Sequence, residues 1–184
     1  MAKKPKDKTE NAAANATAPA PGANAGGAAD DGAAQAKLPS MRIVAQYLKD
    51  LSFENPNAPN SLKSGIPAPK VDISVNVNAK TLGPTDYEVE LHLEAKAQAE
   101  DGVAFAAELV YAGMFHIENV PQDSLHPVIL IECPRVLFPF ARQIMAHATQ
   151  QGGFPPLMLD PIDFAGMYRQ RVAQQAAGGQ APQA

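Results

Sequence analysis

Residues Tyr87 to Ala99 alternate without a break, and this constrains the fold more than any other stretch of the chain. Tyr87, Val89, Leu91, Leu93, Ala95, Ala97 and Ala99 fall on one side; Glu88, Glu90, His92, Glu94, Lys96 and Gln98 fall on the other. A period of two puts successive side chains on opposite faces of a strand, so the segment reads as one long strand with an apolar face in a core. The acidic residues 88, 90 and 94 then read as a solvated strand face. Glu100-Asp101-Gly102 closes a hairpin, with Gly102 able to take a positive φ. Val103 to Tyr111 returns, and both of its faces are apolar except for Glu108. An antiparallel strand usually shows water one polar face, so the outer face of this one is expected to meet something else. A second copy of the chain is the natural candidate.

The surrounding pattern supplies two more strands and then helices. Met41 to Phe53 is a mixed apolar segment that ends at Asn55-Pro56-Asn57-Ala58-Pro59-Asn60, a strong turn signal. Residues 55–70 are rich in proline and predict a long irregular crossover. Val71, Ile73, Val75 and Val77 alternate with Asp72, Ser74 and Asn76, which predicts a half-buried strand, and Gly83-Pro84 makes the next turn. Gln122 to Glu132 predicts a short helical piece interrupted by Pro127. Pro134 suits the first turn of the next helix, whose apolar stripe is Val136, Leu137, Phe140, Ala141, Ile144, Met145 and Ala148. Pro139 should kink that helix or fall in its first turn, and Gly152-Gly153 ends it. Asp160-Pro161 predicts the start of a last helix with Asp160 as N-cap and Asp163 near the positive end of its dipole. Phe164, Met167, Tyr168 and Val172 form its apolar side. Four strands followed by helices predict an α+β domain, a four-stranded antiparallel sheet with helices packed on one side.

Composition sets the boundaries. Residues 1–40 contain Ala, Gly, Asn, Pro and Lys but no Leu, Ile, Val or Phe before Leu38. Such a segment buries too little apolar surface to offset its ordering entropy, so it is expected to be a disordered arm. The Gln, Ala and Gly-rich residues 174–184 are expected to form a flexible tail. The folded domain is then 41–173. Charge divides between these parts: residues 1–40 hold five Lys and four Asp/Glu, and residues 41–184 hold ten Lys/Arg and fifteen Asp/Glu. The domain is acidic, which argues against nucleic acid as a partner. No apolar run is long enough to span a membrane, so direct membrane insertion is not expected. One cysteine, Cys133, allows no intramolecular disulfide and fits a reducing compartment.

No catalytic constellation is visible. His92, His116, His126 and His147 form no metal-ligand spacing with Cys or carboxylates. Gly152-Gly153 follows a helix, the wrong context for a phosphate loop. Cys133 at a helix start could be an activated thiol, but a small buried hydrophobe is the simpler reading. The expectation is a protein that is not an enzyme and uses no cofactor. It would act as a binding module or an assembly protein.

Four stretches carry a family resemblance: KDLSFENPNAP at Lys49 to Pro59, YEVEL at Tyr87 to Leu91, CPRVLFPFAR at Cys133 to Arg142, and GFPPLMLDPIDF at Gly153 to Phe164. In this order they resemble SecB, the bacterial protein-export chaperone family, over about residues 41–172. The resemblance implies a cytoplasmic homotetramer, built as a dimer of dimers. It would hold unfolded precursor proteins without ATP and pass them to the SecA ATPase of the translocon. It implies two surfaces. The first is an acidic sheet face offered to SecA's basic, zinc-bearing tail, carried here by Asp50, Ser52, Glu54 and Glu108. Ala106 and Ala107 stand where the family often has bulkier residues. The second is an apolar client groove between the crossover and the last helix, with Ile66, Val71, Ile73, Phe115, Phe164 and Tyr168 as candidates; Ile66 stands where some members have an aromatic. Two rivals remain at this level: a SecB-like chaperone dedicated to one partner such as an antitoxin, and a β-rich assembly subunit that is no chaperone.

Overall fold

The computed structural model describes residues 38–65 and 67–178. Four strands form one antiparallel sheet: β1 (Ser40–Glu54), β2 (Lys70–Thr81), β3 (Asp86–Ala99) and β4 (Gly102–Glu118), in the order β1-β4-β3-β2. The alternation of Tyr87 to Ala99 thus becomes an interior strand, paired to β2 by one hairpin and to β4 by the other. β1 pairs with β4, so the proline-rich crossover spans the whole width of the sheet to reach β2. The second strand is longer than its clean alternation, running from Lys70 to Thr81. The last runs on past Tyr111 to Glu118.

Helices cover one face of the sheet. A short helix α1 (Gln122–Pro127) runs through a π-helical stretch (Val128–Glu132) into α2 (Cys133–Gln151), and the residues at both junctions keep right-handed helical dihedrals. Pro134 lies in the first turn of α2 as expected, whereas Pro127 does not interrupt the helical piece over Gln122 to Glu132. A prolyl ring crowds the carbonyl four residues back and offers no donor, and Pro134 sits where the chain leaves the wider π turn.

The core lies between α2 and the odd-numbered side chains of β3 and β4. Leu91, Leu93, Leu109 and Phe115 meet Leu137, Ala141 and Met145, and all are buried. Burying each large apolar side chain contributes about 1.5–3 kcal/mol. Gly113 makes the close approach possible: a Cβ there would stand 2.8 Å from Leu137 Cδ2. Thr149, fully buried on α2, donates to the carbonyls of Met145 and Ala146 and accepts from Leu157 N at 2.9 Å. That bond pins the connection to the last helix.

The last helix, α3 (Phe164–Gly178), begins later than the Asp160-Pro161 signal. Asp163 supplies the cap instead, its Oδ1 accepting from Gly166 N at 2.9 Å. Prolines at 155, 156 and 161 lie in the intervening chain, which has no regular structure from 155 to 163. The tail boundary placed at 174 falls inside this helix. Cys133 is buried beside Met41, and burial pushes its thiol up to about 12, so it is a packing residue and no activated nucleophile.

Candidate functional site

Among the described residues the face of the sheet opposite α2 carries no helix, and its two ends differ in charge chemistry. Register fixes which side chains share that face. Ser52 of β1 stands opposite Glu108 of β4, which stands opposite Glu94 of β3. Asp50 pairs with Val110, and Glu54 with Ala106, on the same face. Asp50, Glu54, Glu94 and Glu108 are all exposed, and Ser52 is half-buried. Among the described residues none of these four carboxylates enters an ion pair. Like charges directly opposite on neighbouring strands destabilise a sheet, so the Glu94–Glu108 pair costs the isolated chain stability.

The other end of the face is internally neutralised. The bulge between Leu48 and Asp50 lets Lys49 reach it as well. Lys49 Nζ donates to Glu88 Oε1 at 2.9 Å and to Glu90 Oε1 at 2.5 Å, and Lys80 Nζ donates to Glu90 Oε1 at 3.1 Å. Tyr47 Oη donates to Glu88, and His92 Nε2 lies 3.2 Å from Glu90 Oε2. The Lys49 hydrogen bond, helped by Lys80 and His92, holds the Glu90 carboxyl down to about 2. Glu88 is lowered by Tyr47 and Lys49, while Lys49 and Tyr47 are raised in return. Glu88 and Glu90 are therefore buried members of a network, which corrects their reading as a solvated face; Glu94 alone of the three fits it. Beyond the network, His116 bridges Asp86 at 2.8 Å and Glu118 at 3.3 Å, and both carboxylates raise its pKa.

Three grooves open elsewhere. Leu51, Phe53 and Tyr111 face Phe140, Ile144 and Ala148 across about 620 Å³, a cleft between β1 and α2. The helical stripe read from sequence thus splits: Leu137, Ala141 and Met145 seal the core, while Phe140 stays 45% exposed. A second groove of about 850 Å³ runs under the crossover, between Leu62, Pro67 and Pro69 on one side and Ala104, Phe154 and Pro155 on the other. A third, about 380 Å³, separates β2 from α3 and is lined by Val77, Leu130, Phe164, Met167 and Tyr168.

A family model described as preprotein translocase subunit SecB matches residues 34–175. The chain belongs to the SecB family. A protein-export protein SecB of Afipia carboxidovorans is 64% identical over 138 residues, covering 75% of this chain and 86% of that relative. One from Maricaulis maris is 54% identical over 149 residues, covering 81% and 86%. Among solved structures, a SecB-like chaperone of Mycobacterium tuberculosis, in complex with a peptide from an antitoxin, matches with TM-score 0.56 at 16% identity. That match covers 66% of this chain and 90% of that one, and it shows a shared fold.

Within this chain the two expected sets fare differently in position. Asp50, Ser52, Glu54 and Glu108 come together on one open face. The sequence reading left Glu94 out of this set, since its cross-strand place opposite Glu108 requires the β3–β4 register. The client candidates are dispersed. Phe115 and Phe164 are buried in the core, Val71 is half-buried, Ile73 is 47% exposed on the β2 edge, and Tyr168 is half-buried with its hydroxyl 3.0 Å from His126 Nδ1. Ile66 lies outside the described residues. Leu51 and Phe140, which line the cleft between β1 and α2, carried no signal that separates them from core. Among the described residues no helix is long and apolar enough to cross a membrane.

Proposed function

We propose that this protein is an ATP-independent chaperone of the cytoplasm that holds unfolded precursor polypeptides in its apolar grooves and hands them to the SecA ATPase. The observation that carries the reading is the set of carboxylates without ion-pair partners on the open sheet face. Asp50, Glu54, Glu94 and Glu108 present four negative charges around Ser52 with no ion-pair partner among the described residues. A basic, zinc-bearing tail supplies what they lack, and it converts the Glu94–Glu108 repulsion into attraction at two acceptors.

The grooves divide between assembly and clients. The cleft between β1 and α2 is almost wholly apolar, and β1 is an edge strand with exposed Val44, Leu48 and Leu51. Such an edge and cleft suit a second copy of the chain, toward a dimer of dimers. The crossover groove and the β2–α3 groove are left for clients. Burial there contributes roughly 25 cal/mol per Å² whatever the apolar sequence, which is why one groove can serve many unfolded chains. Several grooves on one tetramer would add avidity.

Calorimetric titration with SecA tests the handover. The wild-type chain should bind, and Asp50→Ala/Glu54→Ala should abolish binding with the oligomeric mass unchanged. Absence of wild-type binding would favour a chaperone dedicated to one partner.

A further inference from the structure

The ion-pair network on the open sheet face is built as a strap across a strand. Tyr47 and Lys49 stand on β1, Glu88 and Glu90 stand on β3, and β4 runs between them. Two strand spacings, about 10 Å, separate β1 from β3. The β4 residue beneath is Ala112, opposite Tyr47 on one side and Glu90 on the other. It is fully buried, although this face carries no helix among the described residues. Its small side chain lets Tyr47 and Lys49 cross over β4 to the two glutamates. The bulge governs charge as well as reach. Successive residues of a regular strand point to opposite faces, but the extra residue here puts Lys49 and Asp50 on the same one. Their Cα atoms are about 3.8 Å apart. Asp50 is therefore the carboxylate that the local chain offers Lys49 first, yet Lys49 pairs with Glu88 and Glu90 instead. Those two are buried and Asp50 is exposed, so water and salt screen the attraction less at β3. Lys96 also stands on this face, opposite Ala106; it is exposed and enters no ion pair among the described residues.

We infer that Glu88 and Glu90 act on the acidic face from outside it: they hold Lys49 away from Asp50, and so keep Asp50 available to a basic partner. Lys49 is then a positioning residue, and the place of its ammonium decides how much negative charge the face presents. The inference rests on the SecA reading above. Either glutamate alone suffices, because Lys49 donates to both. Loss of both frees an ammonium on a flexible four-carbon stem beside Asp50. Glu108 lies diagonally across from Asp50, since it stands opposite Ser52, and is within reach of the same long side chain. A freed Lys49 competes with the partner's cations for these carboxylates and repels those cations as well.

The test is calorimetric titration of the full chain with SecA, joined to a crystal structure of the free variant. Glu88→Met/Glu90→Met removes both acceptors and keeps side chains of similar length. Binding should weaken about fivefold at low salt, and Lys49 Nζ should lie within ion-pair distance of Asp50 or Glu108 in the variant. Lys49→Met added to that pair should restore binding. Lys80→Met added instead should not, because Lys80 is on β2, at the opposite edge of the sheet from Asp50 on β1. Should the methionine pair not fold, Glu88→Gln/Glu90→Gln should show the same order of effects at smaller size. Equal rescue by Lys49→Met and Lys80→Met would assign the loss to net charge and overturn the inference. Undiminished binding in the double variant overturns it too. If the wild-type chain does not bind SecA, the handover reading fails, and the variant's structure alone decides: Lys49 on Asp50 or Glu108 supports the inference, and any other position sinks it.

Discussion

Two ends of one sheet face carry the same residue type to opposite purposes. At one end Glu88 and Glu90 are buried, and Lys49, Lys80, Tyr47 and His92 surround them. At the other end Asp50, Glu54, Glu94 and Glu108 are exposed, and two of them face each other across neighbouring strands. The first group spends its charge inside the molecule. The second group retains it. Carboxylate count therefore says little about where an acidic protein meets a basic partner; the location of the compensating cations says most.

The comparison can be broken by making the second end like the first. Glu94→Lys gives Glu108 a cross-strand partner, so the fold should gain a few tenths of a kcal/mol up to ~1 kcal/mol. SecA binding should weaken about tenfold or more, because one attraction is lost and one repulsion added. Urea denaturation and titration calorimetry on the same sample would read the two effects with opposite sign. A variant that lost stability along with binding would place Glu94 in the structural group.

The reverse change removes a network member. Glu90→Ala leaves Lys49 and Lys80 without their shared acceptor, and should destabilise the chain by about 1–2 kcal/mol. Thermal unfolding should show it as a midpoint lower by several degrees. SecA binding should hold, since the exposed carboxylates are untouched.

Acid sharpens the contrast further. Glu90 is held near 2 in the folded chain against an ordinary value of 4.5. Its contribution is fully present above pH 4.5 and drains away as pH falls toward 2, because below both values the two states bind the same proton. Glu90→Gln should flatten that limb of a stability–pH profile measured by urea midpoint.

The smallest effect lies at the far edge of the face. His116 is raised above 6.5 by Asp86 and Glu118. A raised histidine stabilises most below its unfolded value and ceases to do so as pH rises through its folded one. A shallow loss of stability on the alkaline side of 6.5 should be present in the wild-type chain and absent in His116→Gln.

Much of this was legible in the sequence. The period of two in Tyr87–Ala99 fixed both the strand and its core face, since no other regular structure puts those seven apolar residues on one side. Asp50, Ser52 and Glu54 could be assigned a common face by the same alternation. The helix limits were less legible. Asp160-Pro161 is a good start signal, yet Asp163 three residues on makes the actual cap. Pro127 looks like a helix break, yet the chain stays helical through it into a π stretch. Local signals name candidates for an end, and packing chooses among them.

Sequence alone determined the strand and helix inventory, the acidic balance of the domain, and the family, because these depend on residue identity and spacing along the chain. Only the tertiary structure decided which carboxylates are spoken for. Glu88, Glu90 and Glu94 are equivalent in the alternating pattern, and what separates them is a lysine brought from β1 by a bulge and a second from β2 by strand order. Charge acts through space and falls off within a few ångströms of a compensating partner, so its role is set by neighbours that the linear order does not reveal.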